Sequence, residues 1–216
     1  MSSKGQMFIS VGILVSITII ILRTSIDFNK LIDNKKSLEL GLERKEFVNV
    51  RNEIVGTVDN SILSVNSIVT NANNFINFVV DAVSGKGQAF SGLSVQTIFP
   101  NATANTLIRF NVTVMNFFDS EIRQLNLSFS SDLTANQSFA NLGNRKVLAT
   151  NFTFNTGSAT NYTLIVYYLS NFENQTNSFT IPVELNKGKY VGFFDLRLKT
   201  LRTEYRDNFI VTRTLP

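Results

Sequence analysis

Cysteine and histidine are both absent from the 216-residue chain, and this limits the chemistry that its side chains can perform. Without cysteine there is no thiolate nucleophile, no disulfide and no zinc ribbon. Without histidine the commonest general base and metal ligand is missing, so a Ser–His–Asp triad is excluded. A pair of facing carboxylates, as used in glycoside hydrolysis, is the acid–base chemistry that remains.

The carboxylates available for such a pair are few, and none has a facing partner indicated by spacing. Lys86-Gly87 and Gly157-Ser158 lack the spacing of a phosphate loop, and no Asp/Asn-rich segment has the spacing of a calcium loop. The sequence therefore predicts a protein that is not an enzyme and that holds no cofactor or metal. The acids between Ala82 and Pro182 adjoin turn-like segments and are Asp119, Glu121, Asp132 and Glu173.

Basic residues concentrate near the C-terminus of a chain whose formal net charge is +4. They alternate with acids, and their density is too low for a nucleic-acid interface, so we predict no nucleic-acid partner. Two interpretations stay open: a solvated strand face, or a contact with acidic lipid or envelope glycan. The basic residues are Lys187, Lys189, Arg197, Lys199, Arg202, Arg206 and Arg213, interleaved with Asp195, Glu204 and Asp207.

An uncharged and almost wholly apolar run extends from Met7 to Leu22 and is followed by Arg23. As an α-helix this run is about 25 Å long, and the hydrocarbon core of a bilayer is about 30 Å thick. No small-x-small cleavage site follows it, which argues against a removed secretory signal. The sequence predicts a transmembrane helix at residues 7–22, either as a plain signal anchor or with a signal processed on its N-terminal side.

The residues Lys4-Gly5-Gln6 stand directly before this apolar run. This junction resembles the class III signal of archaeal type IV pilin-like envelope proteins. The resemblance implies a leader within residues 1–6, which a prepilin-type peptidase cuts between Gly5 and Gln6. It also implies that the helix stays on the mature protein and can bundle into a filament core. Many members carry Glu five residues into the mature chain, where this sequence has Ser10.

The Lys and Arg residues around the apolar run conflict with an external C-terminal domain. Lys4 precedes the run, whereas Arg23, Lys30, Lys35 and Lys36 follow it, and flanking Lys and Arg generally stay cytoplasmic. The pilin-type signal and the sequons of the C-terminal half favour the opposite orientation. We therefore expect a single-pass cell-membrane protein with an extracellular C-terminal domain, or an extracellular filament.

Residues 23–87 contain no proline and predict a helical stalk. One helical stretch reaches about Leu40, Gly41 interrupts it, and a second stretch runs from about residue 43 to 83. The apolar residues of the second stretch alternate in steps of four and three, the a/d pattern of a coiled-coil contact. This seam packs either within the chain, against residues 23–40 or the C-terminal domain, or between protomers. It comprises Val58, Ile62, Val65, Val69, Ala72, Ile76, Val79 and Val83.

After Gln88 the apolar residues change from a helical period to a period of two, which is typical of strands. The clearest alternation covers residues 108–114, and further strands are predicted near 90–98, 125–129, 152–154, 161–169, 177–184, 189–199 and 203–213. Seven to nine short strands with polar turns favour a sandwich, and abundant Phe without Trp predicts a Phe-rich core. The expected fold class is α+β: a transmembrane helix and helical stalk, then an all-β immunoglobulin-like sandwich at residues 88–216.

Asn-x-Ser/Thr sequons occur only within the predicted β domain. Residues i and i+2 of a strand share one face, so the Asn and the hydroxyl residue of such a sequon both point to solvent when the residue between them points to the core. A polar strand face also produces sequons by chance, so glycosylation and a plain solvated face both stay open. The sequon asparagines are Asn101, Asn111, Asn126, Asn136, Asn151, Asn161 and Asn174.

These features together predict a type IV pilin-like cell-surface protein with an outward β domain for adhesion or surface structure. Its expected partners are membrane lipid, the processing peptidase and either copies of itself or other envelope proteins. The alternative is a monomeric, membrane-anchored β-sandwich binding module that does not assemble. The two differ in processing after Gly5 and in burial of the apolar segment between helices.

Overall fold

The computed structural model describes residues 3–64, 67–100, 107–130, 134–155, 161–170, 174–182 and 187–216. Within these ranges it gives no side-chain placement for residues 3–13, 19–20, 22, 25–29, 31, 134–135, 154–155, 161–162 and 182. The chain divides into two compact units, Met1–Glu46 and Phe47–Pro216. The first is helical and the second combines helices with strands, so the predicted α+β class is confirmed.

The first unit is formed by the N-terminal part of helix α1, which spans Ser3–Ser61. Its described apolar side chains are exposed: Leu14 by 69%, Val15 by 51% and Ile21 by 61%. In the part of the chain that is described, no helix is both long enough and apolar enough to cross a membrane. The side chains of residues 7–13, 19, 20 and 22 of the predicted transmembrane segment lie outside that part.

Helix α2 spans Ile68–Ser84 and is separated from α1 by a turn. The sequence predicted an interruption at Gly41 and one continuous helix from about residue 43 to 83. Both predictions are wrong, because α1 continues through Gly41 and ends at Ser61. A helix from residue 43 to 83 measures about 60 Å, whereas the longest strands here extend about 36 Å. The turn lets residues 47–61 and α2 lie on the same sheet, and Asn71 Nδ2 donates a hydrogen bond to Ser61 Oγ across it at 2.9 Å.

Nine antiparallel strands form two sheets, which confirms the predicted sandwich. The five-stranded sheet has the order β5-β2-β1-β8-β9, and the four-stranded sheet has the order β4-β3-β6-β7. The chain crosses between the sheets after β2, β4, β5 and β7. The strands are β1 Ala89–Phe99, β2 Leu107–Asn116, β3 Ile122–Ser130, β4 Thr134–Leu142, β5 Val147–Asn155, β6 Asn161–Ser170, β7 Asn174–Pro182, β8 Lys189–Lys199 and β9 Glu204–Thr214.

The sequence predicted eight of these strands and missed β4. Strand β8 has the predicted bounds, and Pro182 ends β7. In β4 the positions that face inward include Gln137 beside Phe139, so the alternation is weak. The inward position of Gln137 is stable because both polar atoms of its amide form hydrogen bonds: Nε2 donates to the Asn151 carbonyl oxygen at 2.8 Å, and Oε1 accepts from Thr150 Oγ1 at 2.7 Å.

The core between the two sheets is rich in phenylalanine, as the sequence predicted. Ring centroids are 4.5 Å apart for Phe99 and Phe110, and 5.2 Å apart for Phe110 and Phe129. Phe152 continues the cluster at 5.1 Å from Phe129. Tilted and edge-to-face pairs of this kind add about 0.5–1.5 kcal/mol each beyond the area that they bury.

A second apolar core covers the outer face of the five-stranded sheet. Tyr190 and Phe194 of β8 point toward α2 and the C-terminal end of α1, whereas Val191 and Phe193 point into the sandwich. Because both faces of β8 are apolar, the strand is stable only with a layer on each side. Residues 47–87, which the sequence assigned to a separate stalk, therefore belong to the same compact unit as the strands.

A buried polar network fixes α2 on this sheet. Gln96 Nε2 of β1 donates to Asn73 Oδ1 of α2 at 2.7 Å, and Tyr190 Oη donates to Gln96 Oε1 at 2.9 Å. Ser94 Oγ lies 3.5 Å from the same Asn73 oxygen. Because an unmade bond at such a place costs free energy, the network selects one position of the helix on the sheet.

Removing buried volume under α2 tests this packing. Ile76 is fully buried, so Ile76→Ala is expected to lower the free energy of unfolding by about 2–5 kcal/mol, because a cavity remains. Phe78 on the same helix is 67% exposed, and Phe78→Ala is expected to change it by only about 0.5 kcal/mol. Urea unfolding of the full chain in detergent measures both. Equal, small effects of the two variants would contradict the helix–sheet core.

Candidate functional site

A buried carboxylate lies at one end of the sandwich, between the sheets. Asp195 of β8 is 0% exposed. Arg206 of the neighbouring strand β9 binds it with two nitrogens: Nη2 donates to Oδ2 at 2.6 Å, and Nε donates to Oδ1 at 3.2 Å. Tyr168 of β6, in the other sheet, donates its hydroxyl hydrogen to Oδ2. The carboxylate therefore joins three strands and both sheets.

A second guanidinium completes this charge cluster, which comprises Asp195, Arg206, Tyr168 and Arg197. Arg197 Nη2 lies 4.0 Å from Asp195 Oδ2 and donates to Tyr168 Oη at 3.2 Å. Its guanidinium carbon stands 4.7 Å from the centroid of the Phe118 ring, a cation–π contact. Arg206 Nη2 also donates to Tyr168 Oη, at 3.1 Å.

Close backbone approach beside Asp195 requires a glycine on β1. Gly92 pairs with Leu196 in the β1–β8 ladder. A Cβ atom at Gly92 would lie 1.9 Å from the Asp195 carbonyl oxygen. The Gly92 carbonyl oxygen also accepts a hydrogen bond from Phe117 N at 2.9 Å. A side chain at position 92 would therefore displace the strand that carries the buried carboxylate.

Burial and charge shift the pKa values within the cluster. Burial, then the charge of Asp195, raise the pKa of Tyr168 far above its ordinary value of 10.0. Burial lowers the pKa of Arg197, against the opposing effect of Tyr168. Burial also acts to lower the pKa of Arg206, but the hydrogen bond and charge of Asp195 outweigh it and the pKa rises. The phenol therefore stays protonated, and available to donate to the carboxylate.

An open cleft of about 320 Å³ lies over the cluster. Arg197 and Phe118 form part of its wall, and acids and bases stand around its rim. Both Asp195 oxygens accept hydrogen bonds from within the cluster, so the geometry is that of a clamp between the sheets with a polar cleft beside it. The lining residues are Ala89, Ser91, Phe118, Asp119, Ser120, Ser170, Arg197, Lys199 and Glu204.

The predicted solvated strand face is wrong for the centre of the basic stretch. Asp195 is fully buried and the side chain of Arg197 is only 14% exposed, whereas Lys187, Lys199 and Arg202 are exposed. The sequence did contain a signal for this. Asp195 stands two and four residues after Phe193 and Val191, so it shares their inward register.

Two of the four acids considered for catalysis are described, and both are exposed. Asp119 is an exposed residue of the cleft lining, and Glu121 is also exposed. Asp132 and Glu173 lie outside the described residues. Within the described part of the chain, no three or more His, Cys, Asp and Glu side chains are grouped as metal ligands.

Most described sequon asparagines lie on strand faces in solvent. Asn111, Asn136, Asn151 and Asn174 are exposed, and Asn126 is half-buried. Asn101 and the side chain of Asn161 lie outside the described part. Asn111 and Asn151 are direct cross-strand partners in the β2–β5 ladder. Asn111 also lines a groove of about 500 Å³ beside Val69 and Thr70 of α2.

The predicted leader junction and the predicted seam both lie in the helical part of the chain. Gly5 and Gln6 lie within α1, and the side chain of Gln6 is not described. Val65 of the seam lies outside the described residues, between the helices, and Ile62 and Val69 are half-buried. The remaining seam residues are buried in the helix–sheet core and are Val58, Ala72, Ile76, Val79 and Val83.

The chain matches no protein-family model and no curated protein sequence. Its own residues therefore carry the functional inference. Three features stand out among those that are described: the exposed apolar side chains of α1, the charge cluster that joins the sheets, and the sequons on exposed strand faces.

The charge cluster predicts a large loss of stability when its carboxylate is neutralised. Asp195→Asn leaves Arg197 and Arg206 beside a neutral amide, so we expect the free energy of unfolding to fall by about 3–5 kcal/mol. Asp119→Asn on the exposed rim is the matched control, with an expected change of about 0.5 kcal/mol. Chemical denaturation of the full chain measures the difference. A neutral effect of Asp195→Asn would rule out the clamp.

The raised pKa of Tyr168 predicts alkaline destabilisation. In the unfolded chain tyrosine ionises near pH 10.0, whereas in the folded chain Tyr168 stays protonated to higher pH. Above pH 10 the unfolded state therefore binds fewer protons, and stability is lost as the pH rises through the folded pKa, by up to about 1.4 kcal/mol per pH unit.

The comparison that isolates this residue is between the natural chain and Tyr168→Phe. Below pH 9 their difference in unfolding free energy should be constant, and above pH 10 it should shrink, since the variant has no phenol to ionise. Denaturation curves across this range provide the measurement. A constant difference at every pH would mean that Tyr168 ionises equally easily in both states.

Proposed function

We propose that this chain is a type IV pilin-like cell-surface protein, anchored by the N-terminal part of α1 and carrying its β sandwich outside the cell. The observation that carries the proposal is the exposure of Leu14, Val15, Ile17 and Ile21. At 100° per residue Leu14, Ile17 and Ile21 lie within about 60° of one another and Val15 lies about 100° from Leu14, so the exposed apolar surface covers an arc of about 160°. An exposed apolar surface of this width, on a helical segment that has no charged residue from Met7 to Leu22, requires lipid or other helices as its surroundings.

The junction before this helix supports processing of the pilin type. Gly5 and Gln6 directly precede Met7, and no charge occurs from Met7 to Leu22. A peptidase that cuts between Gly5 and Gln6 would leave the apolar helix at the mature N-terminus. There it would be held by membrane lipid or by the helices of other copies. An external location of the remaining chain also agrees with the sequons on its exposed strands.

We further assign the first seven strands to the immunoglobulin-like class. Strand β2 pairs with β1 and β5, β3 pairs with β4 and β6, and β6 pairs with β7. This pairing gives β1, β2 and β5 the neighbours of strands A, B and E, and β3, β6 and β7 those of strands C, F and G. Strand β4 lies beside β3, in the sheet to which the variable type adds strand C′, and not beside β5, where strand D of the constant type would lie. The β8–β9 hairpin adds to β1 on the side away from β2, and it brings the charge cluster. Such a sandwich suits adhesion or surface structure, and we propose display and contact, not turnover, as its role.

Mass spectrometry of the N-terminal peptide from native membranes tests the processing step. We expect a mature chain that starts at Gln6. Gly5→Val should block the cut and leave the leader attached, because a bulky residue replaces glycine at the cleaved bond. Gly41→Val is the matched control: open space surrounds that glycine, and processing should be unchanged. An intact start at Met1 or Ser2 in the natural chain would refute the pilin assignment.

Single-cysteine crosslinking separates a filament from the alternative, a monomeric anchored binding module. Because the chain contains no cysteine, one introduced thiol reports one position. Leu14→Cys should form disulfide-linked dimers in native membranes if apolar helices pack together. Val147→Cys, at an exposed position of the sandwich, should form them far less. Dimers from neither variant would favour the monomeric module.

A further inference from the structure

The outer face of the four-stranded sheet forms a regular polar surface, here called the polar face. Its side chains alternate with those that fill the sandwich core, such as Leu125, Leu127 and Val166. Cross-strand pairs align the outward residues of β4, β3, β6 and β7 in rows. The rows are Ala140–Gln124–Leu169–Asn174, Ser138–Asn126–Tyr167–Thr176, Asn136–Ser128–Ile165–Ser178 and Ser130–Thr163–Thr180.

None of the residues in these rows is charged. Within the described strands of this sheet, the one charged residue is Arg123, which is exposed at the irregularity of β3 beside Gln124. By contrast, β9 alone carries Glu204, Arg206, Asp207 and Arg213. A soluble protein surface is commonly designed with charge on about a quarter to a third of its residues, so the rows of the polar face are poor in charge by comparison.

Among the residues whose side chains are described, three sequons lie on this polar face with both of their recognition residues outward. They are Asn126 with Ser128, Asn136 with Ser138, and Asn174 with Thr176. The residue between each pair points inward, because alternate residues of a strand face opposite sides. Asn136 and Asn174 are exposed and belong to the edge strands β4 and β7, whereas Asn126 is half-buried on the inner strand β3.

We propose that N-linked glycans carried by these asparagines cover the polar face. Neutral sugar hydroxyls can exchange hydrogen bonds with the Ser, Thr and Gln side chains of the rows. The half-buried Ile165 and Tyr167 in the middle strand offer apolar surface to the carbon face of a sugar ring. A charge beneath such a cover would lose water without gaining a partner, which explains its absence. This inference rests on the proposed external location.

The modification requires a glycosyl donor. A membrane glycosyltransferase would use an oligosaccharide whose anomeric carbon is bonded to the phosphate of a lipid carrier. The carboxamide nitrogen of the sequon Asn forms a bond to that carbon as the carbon–oxygen bond to phosphate breaks. The lipid phosphate leaves with the bonding electrons, and the nitrogen loses one proton to solvent or to a base of the transferase.

The position of each strand sets an order among the three acceptors. Asn136 and Asn174 lie on edge strands, so a transferase can approach them from the open side of the sheet. Asn126 has paired strands on both sides and its Oδ1 lies 3.5 Å from Gln124 Nε2. Asn126 is therefore accessible chiefly before the sheet forms. Occupancy should be higher at Asn136 and Asn174 than at Asn126.

Glycopeptide mapping of the full chain from native membranes tests this inference. We expect glycan at Asn136 and Asn174 in most copies. Ser138→Ala and Thr176→Ala retain each asparagine but remove its sequon, and each should lose the glycan at its own site alone. Thr153→Ala, which removes the Asn151 sequon on the other sheet, is the matched control and should leave both polar-face glycans in place.

Three other outcomes would overturn the inference, and they distinguish a failure of the glycan cover from a failure of the proposed external location. If Asn136 and Asn174 are bare while external protease digests the sandwich in intact cells, the glycan cover is wrong and the external location stands. If they are bare and Ser178→Cys gives disulfide-linked dimers in native membranes, a second copy covers the face instead. If the sandwich resists protease until cells are lysed, the location proposed for the protein fails as well.

Discussion

Strands β1 and β8 bury side chains on both of their faces, and most of the architecture follows from this. One face of their sheet is closed by the second sheet, and the other by α2 and the C-terminal turns of α1. The network of Asn73, Gln96 and Tyr190 then selects the position of the helix. The helices of residues 47–84 are consequently a layer of the domain, and their apolar seam is used within the chain.

The same constraint explains which parts of the fold could be predicted from the sequence. Strict alternation identified β2, β3 and β5, because their inward and outward residues differ in polarity, and less regular apolar runs indicated five more strands. Strand β4 was not predicted because Gln137 faces inward, which weakens the alternation. Its side chain forms hydrogen bonds with Thr150 and Asn151, and these contacts exist only in the tertiary structure. The a/d spacing marked five apolar residues that the helices bury, together with Ile62 of the turn between them, because spacing cannot tell one long helix from two that lie against one sheet. The turn after Ser61 depends on the dimensions of that sheet.

The functional features could be predicted from the sequence only in part. The sequons could be read directly, but their arrangement could not, because it depends on cross-strand register: β3, β4 and β7 bring Asn126, Asn136 and Asn174 to one charge-free surface. The charge cluster was visible only as the inward register of Asp195. Its partners come from β9 and from β6 of the other sheet, and sequence spacing carries no information on such contacts. The five-stranded sheet is therefore covered on both faces, whereas the four-stranded sheet has one uncharged face that no other described element covers.

The external location of the sandwich is the claim on which the functional account depends, and the Lys and Arg residues that follow the apolar run oppose it. Leu201 lies in the β8–β9 turn and is 97% exposed, and a chain without native cysteine gives a Leu201→Cys variant one reactive thiol. A membrane-impermeant maleimide applied to intact cells measures its location directly. We expect full labelling before lysis, because the turn that carries residue 201 is then outside the cell. Labelling only after lysis would place the sandwich in the cytoplasm and contradict the account.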